Sequence, residues 1–224
     1  MENWLIYILL PFLLGLWAQG KVSRAFGRYS LVRATSGLTG AQAAEEILNA
    51  AQIHDVSVVQ INGIMGDHYD PAHKRLCLST NTYASSSVAA VGIAAHETGH
   101  AIQHARAYAP LQWRMAVVPA TQFATRILPF AIFGGLFFGI FGLLKIGILC
   151  YTVLALFQLV TLPVEYDASR RAKIVLGQLG IIQAGPETAG VNAVLDAAAL
   201  TYVAAFVASL GNLLWLLSLS NRRR

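Results

Sequence analysis

Charge is what this sequence has least of. Of its 224 residues only 12% are Asp, Glu, Lys or Arg, about half the share in a typical soluble domain. Hydrophobic residues make up 56%. That balance excludes a disordered, highly solvated chain and points to an integral membrane protein. Acids are scarcer than bases, 11 against 16, for a formal net charge of +5. In so apolar a chain, basic residues near span ends bias topology. The arginines are scattered and no basic stripe interleaves with exposed aromatics, which argues against nucleic acid as a partner. Cysteine is nearly absent. Cys77 and Cys150 form no CxxC pair, which excludes a disulfide scaffold or a thiolate metal cluster. Both read as buried thiols. There is no internal repeat and no low-complexity linker.

What is present is a set of long uncharged runs. Trp4 to Ala18 is apolar throughout, somewhat short of the roughly 20 residues of a full span. A signal peptide is the weaker reading, because "MEN" offers no basic n-region and "WAQG" is a marginal cleavage site. A retained helix is expected. Ile127 to Leu144 and Ile146 to Val164 are both uncharged and are separated by Lys145 alone. They predict a transmembrane hairpin with a tight turn at that lysine. "GLFFG" (135–139) has the small-xxx-small spacing of close helix contacts. Ala197 to Ser220 is uncharged and ends in "NRRR", which predicts a last span.

Between the first run and the hairpin the pattern changes. Thr39 opens a predicted helix over "TGAQAAEEILNAA". "VSVVQI" (56–61) and "RLCLS" (75–79) read as short strands around a Gly- and Asp-rich loop. "SSSVAAVGIAAHETGHAIQHARAY" reads as one helix capped by a serine near 85–87.

That helix carries His96-Glu97-Thr98-Gly99-His100, an HExxH motif. Residues four apart share a helix face, so both imidazoles can reach one Zn²⁺, with Glu97 beside them. There zinc acidifies a water and the glutamate accepts its proton. The bland alternative is a solvated polar face. However, the flanks "VGIAA" and "AI" are apolar, and burying three ionisable groups without a partner is costly. A catalytic zinc needs three protein ligands and an open position. His104 is the local candidate. Yet an i, i+8 pair lies roughly 12 Å apart along a helix axis, too far for one ion. His104 is therefore expected to support a ligand or to face solvent.

Glu165, in "LPVEYDASRRA" (162–172), is the better third ligand, because a charge emerging from a hydrophobic span is often functional. The predicted hairpin crosses the membrane twice between His100 and Glu165, which returns Glu165 to the HExxH side. Glu187 and Asp196 share that side without a comparable context. Asp167 is expected to orient a ligand or to pair with an arginine.

"HETGHAIQH", the paired hydrophobic helices and "LPVEYDASRRA" together resemble the YugP-type neutral zinc metallopeptidases, small bacterial membrane proteins. The likeness runs along nearly the whole chain. More distantly the chain is similar to HtpX-type heat-shock proteases and CAAX prenyl proteases, where HExxH precedes membrane helices and a ligand glutamate in ExxxD. The resemblance implies His96, His100 and Glu165 as ligands of one Zn²⁺ and Glu97 as general base. Ser169 stands where the distant families have aspartate, and Asp167 is the expected substitute. Gluzincin-type proteases lay an extended peptide along an edge strand above the metal, and residues 56–79 are placed to supply one. His68, Tyr69, Arg170 and Arg171 are candidate transition-state groups.

The expected fold is mainly α, a polytopic membrane protein. It combines a gluzincin-like, HExxH-helix zincin part, a small β-hairpin or short sheet, and about four transmembrane helices. The expected organisation is an N-terminal transmembrane helix (1–20), a membrane-surface catalytic part (21–114), a transmembrane hairpin (115–164), a third-ligand helix and loop (165–196), and a C-terminal transmembrane helix with a basic tail (197–224). Lys21, Arg24, Arg28, Arg33, Arg106, Arg114, Arg170, Arg171 and Lys173 fall on the catalytic side; Lys145, Arg222, Arg223 and Arg224 fall on the other. The positive-inside rule thus predicts a cytoplasmic active site at a bacterial plasma membrane, with the arginine tail as the conflicting signal. The expected function is zinc-dependent endopeptidase action on peptides or membrane proteins at the bilayer surface. The rival classes are a non-proteolytic zinc-binding scaffold or accessory subunit, against which the intact Glu97 argues, and a transporter, against which four short spans argue.

Overall fold

The structure, a computed structural model, describes residues 5–63 and 66–222. The expectations for "MEN" and for Arg223 and Arg224 lie outside the described residues. After a π-type turn (Leu5–Leu9), the order is α1 (Leu10–Tyr29), α2 (Gly40–Ala50), β1 (Ser57–Ile61), β2 (His68–Asp70), β3 (Arg75–Ser79), α3 (Thr80–Ala84), α4 (Val88–Ala105), α5 (Ala109–Phe137), α6 (Phe141–Gln178) and α7 (Pro186–Arg222). The chain is mainly helical with one small sheet. Among the described residues, four helical segments are long and apolar enough to cross a membrane: Leu5–Tyr29, Ala109–Phe137, Phe141–Gln178 and Pro186–Asn221.

The chain divides into two compact units. One comprises residues 1–18, 110–163 and 200–224, the other 19–109 and 164–199. The first is built from the apolar parts of the long helices. Large side chains such as Leu10, Phe12, Phe130 and Leu149 are well exposed there. Such apolar exposure is costly in water and suits a lipid solvent. The α5–α6 turn lies at Phe138–Ile140, with Gly139 at φ +66°, a left-handed conformation that glycine adopts without strain. It does not lie at Lys145, which sits inside α6 with its ammonium 5.2 Å from the centre of the Phe141 ring. The GLFFG glycines therefore divide their work. Gly135 meets the Leu144 side chain on α6, while Gly139 makes the turn.

The second unit holds the soluble-type core. Thr39 caps α2 through a capping box: its hydroxyl accepts from Gln42 N, and Gln42 Oε1 accepts from Thr39 N. Ser87 caps α4 by accepting from Ala90 N. The sheet order is β1-β3-β2. β1 pairs with β3 in parallel, Val58 opposite Leu76, and β2 pairs with β3 antiparallel, Tyr69 opposite Leu76. The two strands expected from the sequence are thus not a hairpin with each other, and a third strand fills the loop between them. Leu76 and Leu78 of β3 are fully buried with Ala94 and Ala101 of α4 and with Ala44 and Leu48 of α2. On the other side, Val88, Val91 and Ala95 of α4 pack with Ile47 of α2, Ala172 and Leu176 of α6, and Val191 and Leu195 of α7. α4 is thereby enclosed and its orientation fixed.

Candidate metal centre

The site lies where α4 and the later part of α6 meet, within the second unit. α4 carries its two histidines one turn apart, and their rings stand edge to face with centroids 4.9 Å apart. The helices approach closely because position 99 has no side chain. A Cβ there would stand 2.7 Å from the Ala168 carbonyl oxygen. This contact lets a residue 69 positions from His96 reach it. Glu165 Oε2 lies 3.2 Å from His96 Nε2 and 3.5 Å from His100 Nε2. Pro163, inside α6, comes two residues before Glu165 and removes one helical N–H there.

The donor atoms of His96, His100 and Glu165 all lie within 4.8 Å of one another, and His100 and Glu165 are buried. Zinc bonds of about 2.0–2.1 Å in tetrahedral geometry separate adjacent ligand atoms by about 3.3 Å. The distances of 3.2 and 3.5 Å bracket that value. Two imidazoles and one carboxylate are also a common catalytic zinc set. The residues present therefore fit a zinc ion.

Around the donors a hydrogen-bonded layer holds the rings. Ser169 Oγ lies 3.1 Å from His96 Nδ1. His100 Nδ1 lies 3.0 Å from Gln103 Oε1. Gln103 Nε2 donates to the Val164 carbonyl (2.7 Å) and to Asp167 Oδ2 (3.0 Å). Asp167 also accepts from Arg170 and Arg171, and the Arg171 guanidinium rests 5.6 Å from the centre of the Tyr108 ring. Ser169 itself thus reaches the histidine, and Asp167 connects to His100 through an amide.

Glu97 is half-buried beside the two histidines. Burial pushes its carboxyl above the ordinary range, against the pull of His96 and His100, and the charges of Glu165 and Asp67 add to the rise. Burial alone would lower the affinity of His100 for a proton. The hydrogen bond to Glu165 and the charges of Glu97 and Glu165 outweigh it and hold that imidazole above its usual value. Asp67 is fixed by Ser79, whose backbone N–H and hydroxyl donate to its two oxygens.

The remaining sequence candidates lie apart from the three donors or are engaged otherwise. His104 Nδ1 lies 2.8 Å from the Tyr69 hydroxyl, a contact between the last turn of α4 and β2. Partial burial and the charges of Asp55 and Asp70 push the Tyr69 phenol up to about 12, so it stays protonated at neutral pH. His68 is exposed and its ring turns to the Gly66 carbonyl, 2.6 Å away. Arg170 and Arg171 both serve Asp167. Gly99, Gln103 and Asp67 also shape the site, although no motif in the sequence marks them. For Gln103 the signal was present, since it stands one turn after His100 on the same face.

Two helices that converge on three donors with a glutamate beside them form a candidate metal centre on an HExxH helix. The comparisons with known proteins agree in class. Residues 4–221 match the family model described as "Putative neutral zinc metallopeptidase", and the chain belongs to that family. It is 44% identical over 201 residues, 90% of this chain and 89% of the relative, to the "Putative membrane protease YugP" of Bacillus subtilis (strain 168). No solved structure matches.

Proposed function

We propose that this chain is an integral membrane zinc endopeptidase that hydrolyses peptide bonds of peptides or membrane proteins at the bilayer surface. One observation carries the reading: His96 and His100 on α4 and Glu165 on α6 bring three ligand atoms to zinc-compatible separations. His96, His100 and Glu165 would hold the ion. Zinc supplies Lewis-acid polarisation of the scissile carbonyl and of the attacking water. Glu97 sits beside the ligands as the general base, taking the proton from the attacking water and passing it to the departing amine. Enclosure of α4 between two apolar clusters keeps the histidine rings from reorganising during the reaction. Two membrane-length helical segments separate the motifs in sequence, and an even number of crossings returns Glu165 to the face of α4. The excess of basic residues on that side supports a cytoplasmic active site.

Incubation of the purified protein with casein and with a membrane-derived peptide, with and without a chelator, tests the reading. Cleavage that stops on chelation and returns with zinc is expected. Full cleavage in the presence of chelator contradicts it. Zinc binding with no cleavage of any substrate would favour the scaffold reading.

A further inference from the structure

Gln103 is a fully buried polar residue in a helix packed between two apolar clusters. Its amide nitrogen faces the Val164 carbonyl at 2.7 Å and Asp167 Oδ2 at 3.0 Å. A carbonyl and an ionised carboxylate only accept hydrogen bonds, so the NH₂ end must point at them. The amide oxygen is thereby turned to His100 Nδ1 at 3.0 Å. An amide oxygen also only accepts, so His100 must carry its proton on Nδ1. In the neutral ring, the form that binds a metal, Nε2 is then left with a lone pair on the Glu165 side, where Oε2 lies 3.5 Å away.

We infer that Gln103 is a positioning residue that fixes the tautomer and ring orientation of His100 as a metal ligand and couples that choice to the helix carrying Glu165. The inference rests on the zinc reading above. Reversing the amide would set its oxygen against the Val164 carbonyl and the Asp167 carboxylate, an arrangement of acceptors with no proton between them, which is costly in a buried site. Asp167 cannot turn away, because Arg170 and Arg171 hold it. The chain of contacts therefore runs in one direction: two guanidiniums fix Asp167, Asp167 and the Val164 carbonyl fix the amide, and the amide fixes His100. His96 is held differently. Its Nδ1 partner is the Ser169 hydroxyl, which rotates and either donates or accepts. The two histidine ligands are thus unequally constrained, and His100 is the one whose binding-competent form is imposed.

The test compares zinc affinity, by chelator competition, of the wild-type protein, Gln103→Met and Gln103→Glu, alongside the thermal stability of each zinc-free protein. Met has a similar volume and no acceptor. Glu keeps the acceptor toward His100 and, protonated on its other oxygen, still donates toward Asp167 and the Val164 carbonyl. Loss of a hydrogen bond that orients a ligand weakens metal binding by about 10–100-fold. That loss is expected for Gln103→Met, with the zinc-free protein still folded, whereas Gln103→Glu stays within about fivefold of wild type. Equal affinity of wild type and Gln103→Met overturns the inference, and so does equal weakening of both variants. Should Gln103→Met fail to fold, Gln103→Glu decides alone: affinity near wild type supports the inference and a loss beyond about tenfold overturns it. Absence of zinc binding by the wild-type protein would instead overturn the zinc reading itself.

Discussion

Gly99 on α4 faces the backbone of Ala168 on α6, and a single Cβ at position 99 would stand 2.7 Å from the Ala168 carbonyl oxygen. The obstacle is backbone, not a flexible side chain, so the helices themselves would have to part. Glu165 and Ser169 stand one turn apart on α6, three residues before the contact and one after it, and both touch the histidine pair. The candidate metal centre therefore depends on a glycine that bears no chemistry.

Gly99→Ala is expected to destabilise the protein by about 1–3 kcal/mol through overpacking and to widen the gap between Glu165 and both histidines. Melting temperature and zinc content, measured on the same preparation, check this. An unchanged melting temperature with full zinc content would show that the helices accommodate the methyl group.

Glu97→Gln is expected to retain zinc, because Glu97 is not among the three converging donors. Its peptidase activity should fall by at least about 100-fold with loss of the general base. Metal analysis paired with a cleavage assay separates the two effects. Wild-type activity in this variant would remove Glu97 from the mechanism.

Glu165→Ala is expected to abolish stoichiometric zinc binding, while His104→Ala keeps it. His104 is engaged with the Tyr69 hydroxyl and lies outside the donor cluster. The opposite pattern of zinc contents would transfer the third-ligand role to His104.

Leu31 is 89% exposed and follows α1 in the unit that holds the candidate site, whereas the native Cys77 and Cys150 are buried. Leu31→Cys is expected to resist a membrane-impermeant maleimide in intact cells and to react after permeabilisation. Labelling of intact cells would place the catalytic face outside.

The site was legible in part. HExxH spacing on a helix pairs His96 with His100, and a charge emerging from a hydrophobic span, on the side to which the counted crossings return it, marks Glu165 among the few acids of the chain. The supports were harder to read. Gln103 stands one turn from His100 in the sequence, but what fixes its amide shows only once α6 is placed beside α4, because those partners lie more than sixty positions away. Ser169 looked like a departure from an aspartate pattern, yet a hydroxyl at that position reaches His96 Nδ1. In the fold, Lys145 suggested a turn because lone charges mark loops. The lysine instead remains helical over the Phe141 ring, and Gly139 supplies the left-handed turn. The strand pairing was not legible either. β1 and β3 are short, and their parallel register depends on packing against α4 and α2, not on the loop between them.

The most direct test of the account is the position of the metal in an experimental structure of the zinc-loaded protein, read from anomalous scattering at the zinc edge. One peak is expected at about 2.0–2.2 Å from a nitrogen of His96, a nitrogen of His100 and an oxygen of Glu165. A peak ligated by His104, or bound without Glu165, would contradict it.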